Sequence, residues 1–201
     1  MSFVVSGTDT NIGKTVFCAG LCGFLNLPYW KPVQAGLESP TDSDVVAEYG
    51  EVETLPEQYR LKLPASPHQS AAEEGVAIDP ASLIPPARDV VIEGAGGLMV
   101  PLTDDTLYID IFARWKLPLI LCARTRLGTI NHTLLSLEAL RTRAIPVHGV
   151  AFIGDANDES ERIICAKGQV KRLGRLPVID PLTPARLQAV FAKCFEKSDF
   201  T

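Results

Sequence analysis

The residues best suited to chemistry lie near the N-terminus, in the segment Gly7-Thr8-Asp9-Thr10-Asn11-Ile12-Gly13-Lys14-Thr15. This segment follows a short apolar run and precedes a helical pattern, so it predicts a loop that joins a strand to a helix. Glycines let such a backbone approach a phosphate, and the amides at the helix start face it. Lys14 would reach the β- and γ-phosphates, and the Thr15 hydroxyl would ligate Mg²⁺. The segment therefore predicts a nucleoside triphosphate site, although five residues rather than the usual four separate its two glycines.

Two acidic residues are placed to serve this site. The apolar run Val90–Glu93 ends in a carboxylate, as expected of a Walker-B strand that delivers an acid to Mg²⁺. The glycine-rich stretch Gly94–Gly97 follows and leaves the backbone free to approach a ligand. Asp44 lies at a predicted helix start, where the helix dipole alone also explains an acid. Because ligands gather at the carboxyl ends of parallel strands, these acids and the phosphate loop are expected to converge.

A second lysine, Lys31, lies in the segment Tyr29–Gly36, at or inside the second predicted strand. An isolated lysine is most often a solvated surface group, and Pro32 suits a strand edge. A cation beside Lys14 also suits phosphoryl transfer, because neutralising charge on the transferred group is the main task of such sites. The spacing alone leaves both interpretations open.

Short apolar runs alternate with helical patterns, which predicts an α/β fold: a parallel sheet flanked by helices on both faces. Residues 1–201 are expected to form a single domain. The segment Gly50–Arg88 is rich in Pro and Glu and weakly periodic, so it predicts a long excursion of the kind that often carries binding residues. The predicted strands are Phe3–Ser6, Tyr29–Val33, Val90–Glu93, Leu117–Ala123, Val147–Ile153 and Leu176–Ile179. The predicted helices are Lys14–Asn26, Ser43–Tyr49, Pro67–Glu74, Tyr108–Trp115, Asn131–Thr142, Ser160–Lys167 and Pro184–Lys197.

The composition is that of an ordinary soluble protein, with 46% hydrophobic residues, 21% charged residues and a formal net charge of -5. There is no Lys/Arg block, so neither nucleic acid nor an anionic membrane surface is an expected partner. The longest apolar stretch, Val16–Leu27, falls short of the roughly 20 residues that span a membrane. The N-terminus has no positive charge ahead of its apolar residues, so no secretory signal is indicated and a cytoplasmic location is expected.

Five cysteines are scattered along the chain without paired metal-ligand spacing, so they are interpreted as reduced core thiols. Cys18 and Cys22 would share a helix face, which can bind a metal, but no histidine or acid lies nearby in sequence. The other three are Cys122, Cys165 and Cys194.

Taken together, the motifs resemble those of the dethiobiotin synthetase family, the ATP-dependent cyclising enzymes of biotin biosynthesis. The matching segments occur in the family's order and are Gly7–Thr15, Trp30–Gly36, Asp42–Asp44, Ser66–His68, Glu93–Gly97 and Leu127–His132. The resemblance implies a P-loop NTPase-like domain that works as a homodimer. It also implies the reaction: 7,8-diaminononanoate and CO₂ form a carbamate, which attacks the γ-phosphate of ATP. The resulting carbamic-phosphoric anhydride is closed by the neighbouring amine, which releases phosphate.

The resemblance also assigns roles to matching residues. Lys31, Lys14 and Thr10 would be catalytic, the two lysines neutralising the γ-phosphate and the carbamate. Mg²⁺ would be held by Thr15, Asp44 and Glu93. The residues expected to bind the nucleotide are Asn11, Ile12, Gly13, Lys14, Thr15, Val16, Asp44, Glu93, Gly94, Ala95, Gly96, Pro177, Val178 and Ile179. The residues expected to bind the substrate are Thr10, Asn11, Lys31, Ala35, Gly128, Thr129, Ile130 and Asn131. The last four would present helix N-terminal amides to the substrate carboxylate from the partner subunit.

Three positions depart from the family pattern. Many relatives carry an acidic residue at Asn11 and a hydroxyl residue at Ala35, so a hydrogen bond to the diamine or carbamate is expected to be missing. Relatives often use an Asn after the fifth strand to bind the nucleobase, but this chain has Ile153 followed by Gly154. Base preference is therefore open, and Asn157 is a candidate replacement.

The three histidines are interpreted as mainly structural. His68 follows Pro67 in the long excursion, where a general base for amine deprotonation is the alternative. His132 and His148 have no acid or nucleophile at a recognisable spacing.

Two other classes share a similar front loop. Partitioning and targeting ATPases that switch with nucleotide state generally carry an extra lysine early in this loop, where the present chain has Thr8, Asp9 and Thr10. The amidating synthetases of cobalamin biosynthesis normally add a glutamine-hydrolysing domain, for which 201 residues leave no room. The ligase is therefore the favoured interpretation and the switch ATPase is the alternative.

Overall fold

The computed structural model describes residues 1–38 and 40–200 of the chain. Within these residues, strands and helices alternate, with short 3₁₀ turns at Pro80–Ser82 and Lys197–Phe200. The strands are β1 (Phe3–Gly7), β2 (Tyr29–Trp30), β3 (Val33–Ala35), β4 (Thr54–Leu55), β5 (Tyr59–Leu61), β6 (Val91–Gly97), β7 (Leu119–Arg124), β8 (Val147–Ile153) and β9 (Arg172–Leu176). The helices are α1 (Lys14–Leu25), α2 (Asp42–Gly50), α3 (Pro67–Glu74), α4 (Tyr108–Trp115), α5 (Thr129–Thr142), α6 (Asp158–Gly168) and α7 (Pro184–Cys194).

Seven strands form one sheet in the order β4-β2-β6-β1-β7-β8-β9, and each neighbouring pair is parallel. The remaining two, β3 and β5, form a separate parallel pair. Parallel neighbours need crossover connections, which explains why helices separate most of the strands in sequence. The carboxyl ends of the strands consequently lie at one edge, with the phosphate loop after β1 at the centre of the sheet.

Two hydrophobic clusters cover the two faces of this sheet. Along β1, Val4 belongs to one cluster and Phe3 to the other, because successive strand side chains point to opposite faces. Phe191 of α7 packs on the face of Phe3, and Phe112 of α4 packs on the face of Val4. The predicted α/β fold with helices on both faces is confirmed.

Three predicted strands are wrong in their bounds, and one of them, Val90–Glu93, continues as β6 to Gly97. The predicted strand Tyr29–Val33 is split into β2 in the main sheet and β3 in the small one, because Pro32 has no amide hydrogen for a ladder. The predicted strand Leu176–Ile179 lies instead at Arg172–Leu176. There the exposed Arg172 on the edge strand interrupts the apolar pattern, and Pro177 ends the pairing.

The excursion Gly50–Arg88 contains β4, β5 and α3, of which only α3 is predicted by the sequence pattern. Strands of two and three residues are too short to show a period. Within the described residues, no helix is both long and apolar enough to cross a membrane.

Candidate active site

The phosphate loop has the shape needed to hold an anion. Gly13, at the start of α1, has φ 93°, and a Cβ there would lie 2.9 Å from the Ile153 side chain. Only glycine adopts this conformation without strain. No side chain caps the first amides of α1, so they are free to face a phosphate, as at other helix N-termini that bind anions. Lys14 is buried, and its Nζ donates to the Asp9 carbonyl at 3.2 Å, which curls the lysine back over the loop.

The outer part of the loop is braced by Asp9. Its carboxylate accepts the Thr10 amide at 2.8 Å and forms an ion pair with Arg124, at the end of β7. The Thr8 amide also donates to the Cys122 carbonyl on β7. These contacts tie the loop to the neighbouring strand before any ligand binds.

Next to Lys14, four polar side chains form a cluster, which we call the acid–lysine cluster: the buried Lys31 and Glu93 and the partly exposed Thr15 and Asp42. Lys31 Nζ lies 2.7 Å from Asp42 Oδ2 and 3.3 Å from Glu93 Oε1. The Thr15 hydroxyl lies 2.7 Å from Asp42 Oδ1 and 3.2 Å from Glu93 Oε1. The side chain of Lys31 is 4% exposed and that of Glu93 is 1% exposed, so solvent screens neither. Lys31 is therefore an internal cation and not a surface group.

Burial and opposite charges act against each other in this cluster. Burial by itself lowers the pKa of Lys31, but the Glu93 and Asp42 carboxylates outweigh it and raise that pKa above its ordinary value. Burial likewise raises the pKa of Asp42, and attraction to Lys31, with hydrogen bonds from Lys31 and Thr15, lowers it below the ordinary value. Lys31 and Asp42 are therefore both charged at neutral pH.

Tyr29 lies behind the cluster and completes the surroundings of Glu93. Its hydroxyl donates to Glu93 Oε2 at 2.9 Å, and the tyrosine is fully buried. Burial, followed by the negative charge of Glu93, raises the pKa of Tyr29 well above its ordinary value, so the hydroxyl keeps its proton. Each oxygen of Glu93 thus has its own set of partners.

The structure places Asp42, and not Asp44, in this cluster. The Asp44 carboxylate accepts the Thr41 backbone amide and hydroxyl, while the Thr41 side chain accepts the Asp44 amide, which makes a capping box at the start of α2. The alternative interpretation of Asp44 as a helix-start acid is therefore the one that its contacts support. The segment Thr41–Asp44 contains two acids, and the sequence did not tell which of them faces the phosphate loop.

The described donor set suits Mg²⁺ rather than a softer metal. Thr15, Asp42 and Glu93 offer only oxygen, the ligand type that Mg²⁺ prefers. The cluster holds two carboxylates and one lysine, so its charge favours a further cation. Among residues 1–38 and 40–200, no group of three or more His, Cys, Asp or Glu side chains forms a metal cage. A site with few protein ligands is typical of Mg²⁺, which keeps waters and substrate phosphates as ligands.

A cavity of about 710 Å³, which we call the reaction cavity, opens over the phosphate loop and the acid–lysine cluster. It brings together most of the predicted site residues. Its lining consists of Thr10–Val16, Lys31, Ala35, Asp42, Val45, Pro64–Pro67, Glu93, Ala95, Gly96 and Val100. Of the predicted nucleotide-binding residues, five are outside this lining: Asp44, Gly94, Pro177, Val178 and Ile179. Gly94 instead packs against Phe112, whose ring would lie 2.7 Å from a Cβ at that position.

A smaller cavity of about 270 Å³, the outer cavity, shares Asn11–Gly13 with the first and lies beside β7 and β8. Ile153, Gly154 and the predicted Val178 line it, whereas Pro177 and Ile179 do not. Ile179 packs against the core cluster on the α1 face. Four lining residues were not predicted: Arg124, Thr125, Arg126 and Asp155. The first three of these residues follow the predicted apolar strand Leu117–Ala123. Because ligands bind at the carboxyl ends of parallel strands, this position could have predicted them from the sequence.

The polar groups near Ile153 and Gly154 are already paired. Arg175 donates to the Gly154 carbonyl at 3.3 Å, and Arg175 is itself held 3.1 Å from the buried Glu161. Asn157 caps α6 by accepting the Ser160 amide and donates to the Thr125 carbonyl. Asn157 does not line the outer cavity, and its candidate role in binding the base stays a prediction.

The segment Gly128–Asn131 begins α5 and lines neither cavity. Gly128 has φ 95° and no side chain caps the helix there. Leu127 is fully exposed just before it, and Ile130 is partly exposed. The predicted delivery of this segment to a partner subunit stays a prediction.

The histidines lie outside both linings. His148 Nε2 donates to the Asp199 carbonyl at 2.7 Å and its ring packs edge-on against Phe3, which is a structural role. His68 Nδ1 lies 2.9 Å from the Ser66 hydroxyl, and Ser66 does line the reaction cavity. Cys18, Cys22 and Cys122 are buried free thiols, as predicted, and Cys165 and Cys194 are partly buried free thiols.

Solved structures support the fold. The chain is similar to a ParA family ATPase from Chlorobium tepidum TLS, with a TM-score of 0.53 and 11% identity over 96% of this chain and 89% of that one. It is also similar to chloroplast FtsY from Physcomitrella patens, with a TM-score of 0.51 and 16% identity over 95% of this chain and 63% of that one. At these identities the likeness concerns the fold alone, which is that of a P-loop NTPase.

Sequence comparisons are more specific. A family model described as an AAA domain matches residues 1–186. The chain is 62% identical to a protein of Rhodopseudomonas palustris (strain BisB18) named ATP-dependent dethiobiotin synthetase BioD, over 98% of this chain and 97% of the relative. A protein of the same name from Agrobacterium fabrum is also 62% identical, over 100% of this chain and 97% of the relative. With this identity over the full length and a phosphate loop beside the acid–lysine cluster, the chain belongs to the family of ATP-dependent dethiobiotin synthetases, ligases of biotin biosynthesis.

Proposed function

We propose that the chain converts 7,8-diaminononanoate, CO₂ and ATP to dethiobiotin, ADP and phosphate within the reaction cavity. One amine of the diamine binds CO₂ and loses a proton to give a carbamate. A carbamate oxygen then attacks the γ-phosphorus, and the bond to the β-phosphate oxygen breaks, which releases ADP. The second amine attacks the carbonyl carbon of the mixed anhydride and loses a proton, and phosphate leaves with the bonding electrons. The proposal takes residues 1–201 as one catalytic domain, since the seven-stranded sheet has one core cluster on each of its faces.

The observation that carries the proposal is the meeting of Lys14 and Lys31 in one cavity with the phosphate loop. Phosphoryl transfer needs positive charge around the transferred group and a fixed in-line arrangement. Lys14 comes from the loop and Lys31 from the turn after β2, so the two ammonium groups approach from different elements. In this proposal Lys14 neutralises the γ-phosphate, Lys31 neutralises the carbamate, and Thr10 and Asn11 contact both.

Mg²⁺ would be held by Thr15, Asp42 and Glu93, with Asp42 taking the place first expected for Asp44. When bound, the ion would neutralise charge on the β- and γ-phosphates. The protein contributes two carboxylates for the ion: Glu93 is buried, and the Thr15 hydroxyl already lies against both carboxylates.

The nucleoside part of ATP would occupy the outer cavity. This cavity adjoins the phosphate loop at Asn11–Gly13, and Val178 and Ile153 offer apolar contact for a base. Arg124 and Arg126 also line this cavity, together with Asp155, and Arg124 is paired with Asp9. The exposed Val178 belongs to the predicted segment 177–179 at the border of the base.

The diamine would lie along the wall of the reaction cavity formed by Ala35 and Pro64–Pro67. Its carboxylate would meet the amides of Gly128–Asn131 from the partner subunit of a homodimer, because helix N-termini bind carboxylates well. Ala35 offers no hydroxyl there, so the hydrocarbon chain rather than a hydrogen bond makes this contact. A cytosolic location fits five free cysteines, which are typical of a reducing compartment.

The test is phosphate release from MgATP with and without the diamine and bicarbonate, together with detection of dethiobiotin by mass. Release that requires both additions and yields the ring product is the expected result. Diamine-independent hydrolysis without product would contradict the ligase proposal and favour a nucleotide switch. A catalytically dead Lys14→Met variant provides the background, because the loop lysine is needed in either case.

A further inference from the structure

We propose that Tyr29 is a positioning residue that orients Glu93 for the divalent cation. This inference rests on the proposed role of Glu93 as a ligand of Mg²⁺. It concerns a residue that touches neither cavity: Tyr29 is fully buried and lines neither of them. Its sequence pattern marks it only as an apolar strand residue.

The register of the sheet brings the two residues together. Tyr29 of β2 lies opposite Val91 of β6 in a parallel pair, and Glu93 follows two residues later on β6. Side chains two residues apart on a strand share a face, so Tyr29, Val91 and Glu93 lie on the same side of the sheet. Tyr29 and Val91 both belong to the core cluster under α1.

The two oxygens of Glu93 divide their contacts. Oε2 points inward and accepts the Tyr29 hydroxyl at 2.9 Å. Oε1 faces the reaction cavity, where Thr15 lies at 3.2 Å and Lys31 at 3.3 Å. A fixed donor on Oε2 prevents the carboxylate from rotating, so Oε1 stays directed at the cation position. Outer hydrogen bonds of this kind hold metal-binding carboxylates in place, and their loss typically costs about 10- to 100-fold in metal affinity.

The test compares Tyr29→Phe with a matched control. Phe keeps the buried ring and removes only the hydroxyl. Tyr59→Phe is the control, because it also removes a hydrogen-bonded hydroxyl, in this case one that contacts the Asp79 amide at 2.9 Å and the Ser82 hydroxyl at 3.3 Å rather than Glu93. Binding of Mn²⁺ in the presence of a non-hydrolysable ATP analogue is followed by electron paramagnetic resonance. The Kd for Mn²⁺ is expected to rise about tenfold or more in Tyr29→Phe and to stay near wild type in Tyr59→Phe.

Two further readouts separate positioning from simple loss of structure. In Tyr29→Phe, the Mg²⁺ concentration for half-maximal rate is expected to rise while kcat at saturating Mg²⁺ stays near wild type. Binding of the nucleotide without metal is expected to be unchanged, since the phosphate loop is intact. If the variant folds poorly, the wild-type protein still tests the inference by NMR. The Tyr29 hydroxyl proton is expected to be protected from exchange and to show a nuclear Overhauser contact to Glu93. Absence of this protected proton would overturn the inference.

A Glu93→Gln variant distinguishes this inference from the proposed function. If Glu93→Gln loses Mn²⁺ affinity and Tyr29→Phe does not, the positioning role is refuted while the metal role of Glu93 stands. If Glu93→Gln binds Mn²⁺ like wild type, the metal role fails, and the inference fails with it.

Discussion

At the scale of single residues, Lys31 is the side chain whose setting is most informative. A buried lysine is costly unless it is paired, and this one is paired twice, with Asp42 and Glu93. Its ammonium group is therefore fixed at the border of the reaction cavity, where it keeps its charge. A flexible surface lysine would have to be ordered at the moment of reaction, whereas this one is already in place.

Replacing Lys31 by Met should lower dethiobiotin formation by about 100-fold or more, because one fixed charge at a developing transition state is typically worth this much. Binding of a non-hydrolysable ATP analogue should change far less, since the phosphate loop is untouched. Calorimetry and a product assay measure the two effects. The exposed Lys193→Met on α7 is the control. Turnover near wild type in Lys31→Met would remove Lys31 from the reaction.

A pair of neighbouring acids permits a second comparison. Asp42→Asn should raise the Mg²⁺ concentration needed for half-maximal activity, because Asp42 belongs to the acid–lysine cluster. Asp44→Asn should leave that requirement unchanged and lower the free energy of unfolding by about 1 kcal/mol, because it weakens a helix cap. Activity against Mg²⁺ and urea unfolding measure the two. The reverse pattern would restore Asp44 as the metal ligand.

These residues also show what could be predicted from the sequence. Lys14, Thr15 and Glu93 belong to contiguous motifs whose spacing fixes their place relative to one strand, and all three line the reaction cavity. The pairing of Lys31 with Asp42 depends on the bend at Pro32 and on the phase of α2, and neither is encoded in a local pattern. The Tyr29–Glu93 contact depends on strand register, which a single sequence does not specify.

At the scale of elements, α1 connects the phosphate loop to the core. It packs against α2 and α7, and small residues such as Gly20 allow the helices to approach closely. A Cβ at Gly20 would lie 2.3 Å from the Phe191 ring of α7. This distance is too short for a non-bonded contact, so an added methyl group would force the helix backbone or the ring to move. The position of the loop is therefore coupled to the packing of a helix near the C-terminus.

Gly20→Ala should lower the free energy of unfolding by about 1–3 kcal/mol through overpacking. Phe191→Leu, which frees space at the same contact, should be less harmful in the Gly20→Ala background than in the wild type. A double-mutant cycle measured by urea unfolding tests this, since residues in contact are not additive. Additive effects would show that the two helices do not meet as described.

The elements that the sequence pattern missed share a physical cause. Strands β4 and β5 are short, and β9 lies at the sheet edge with its arginines paired to Glu161 or exposed to solvent. Central strands such as β7 are apolar on both faces and were predicted to within a few residues. A strand that is buried on both faces therefore has a continuous apolar run that predicts it from the sequence, whereas an edge strand lacks such a run.

At the scale of the whole molecule, the proposed homodimer depends on the exposed start of α5. Leu127→Asp should convert dimers to monomers in analytical ultracentrifugation and lower dethiobiotin formation, while binding of an ATP analogue persists. A charge cannot be buried at an apolar contact without a partner. Ile84→Asp, another exposed apolar residue outside this segment, is the control. Full activity of a monomeric Leu127→Asp protein would exclude a contribution from the partner subunit.

The distribution of thiols gives a second molecular prediction. Burial raises the pKa of Cys18, Cys22 and Cys122, so these thiols stay protonated and shielded at neutral pH. Ellman's reagent should therefore react quickly only with Cys165 and Cys194 in the native protein, and with all five thiols in denaturant. A Cys165→Ser/Cys194→Ser double variant should show no fast reaction in its native form. Fast reaction of the double variant would show that the core opens readily.

The two cavities share three lining residues, Asn11–Gly13, and therefore adjoin each other at the phosphate loop. The cavity proposed for the nucleoside thus lies next to the cavity proposed for the diamine. A bisubstrate inhibitor that joins a nucleoside to a diamine-like chain by a short tether would hold each half at a millimolar effective concentration for its own compartment. Such a compound would bind more tightly than either half because of the tether. The tether length that gives the highest affinity would report the distance between the two bound halves.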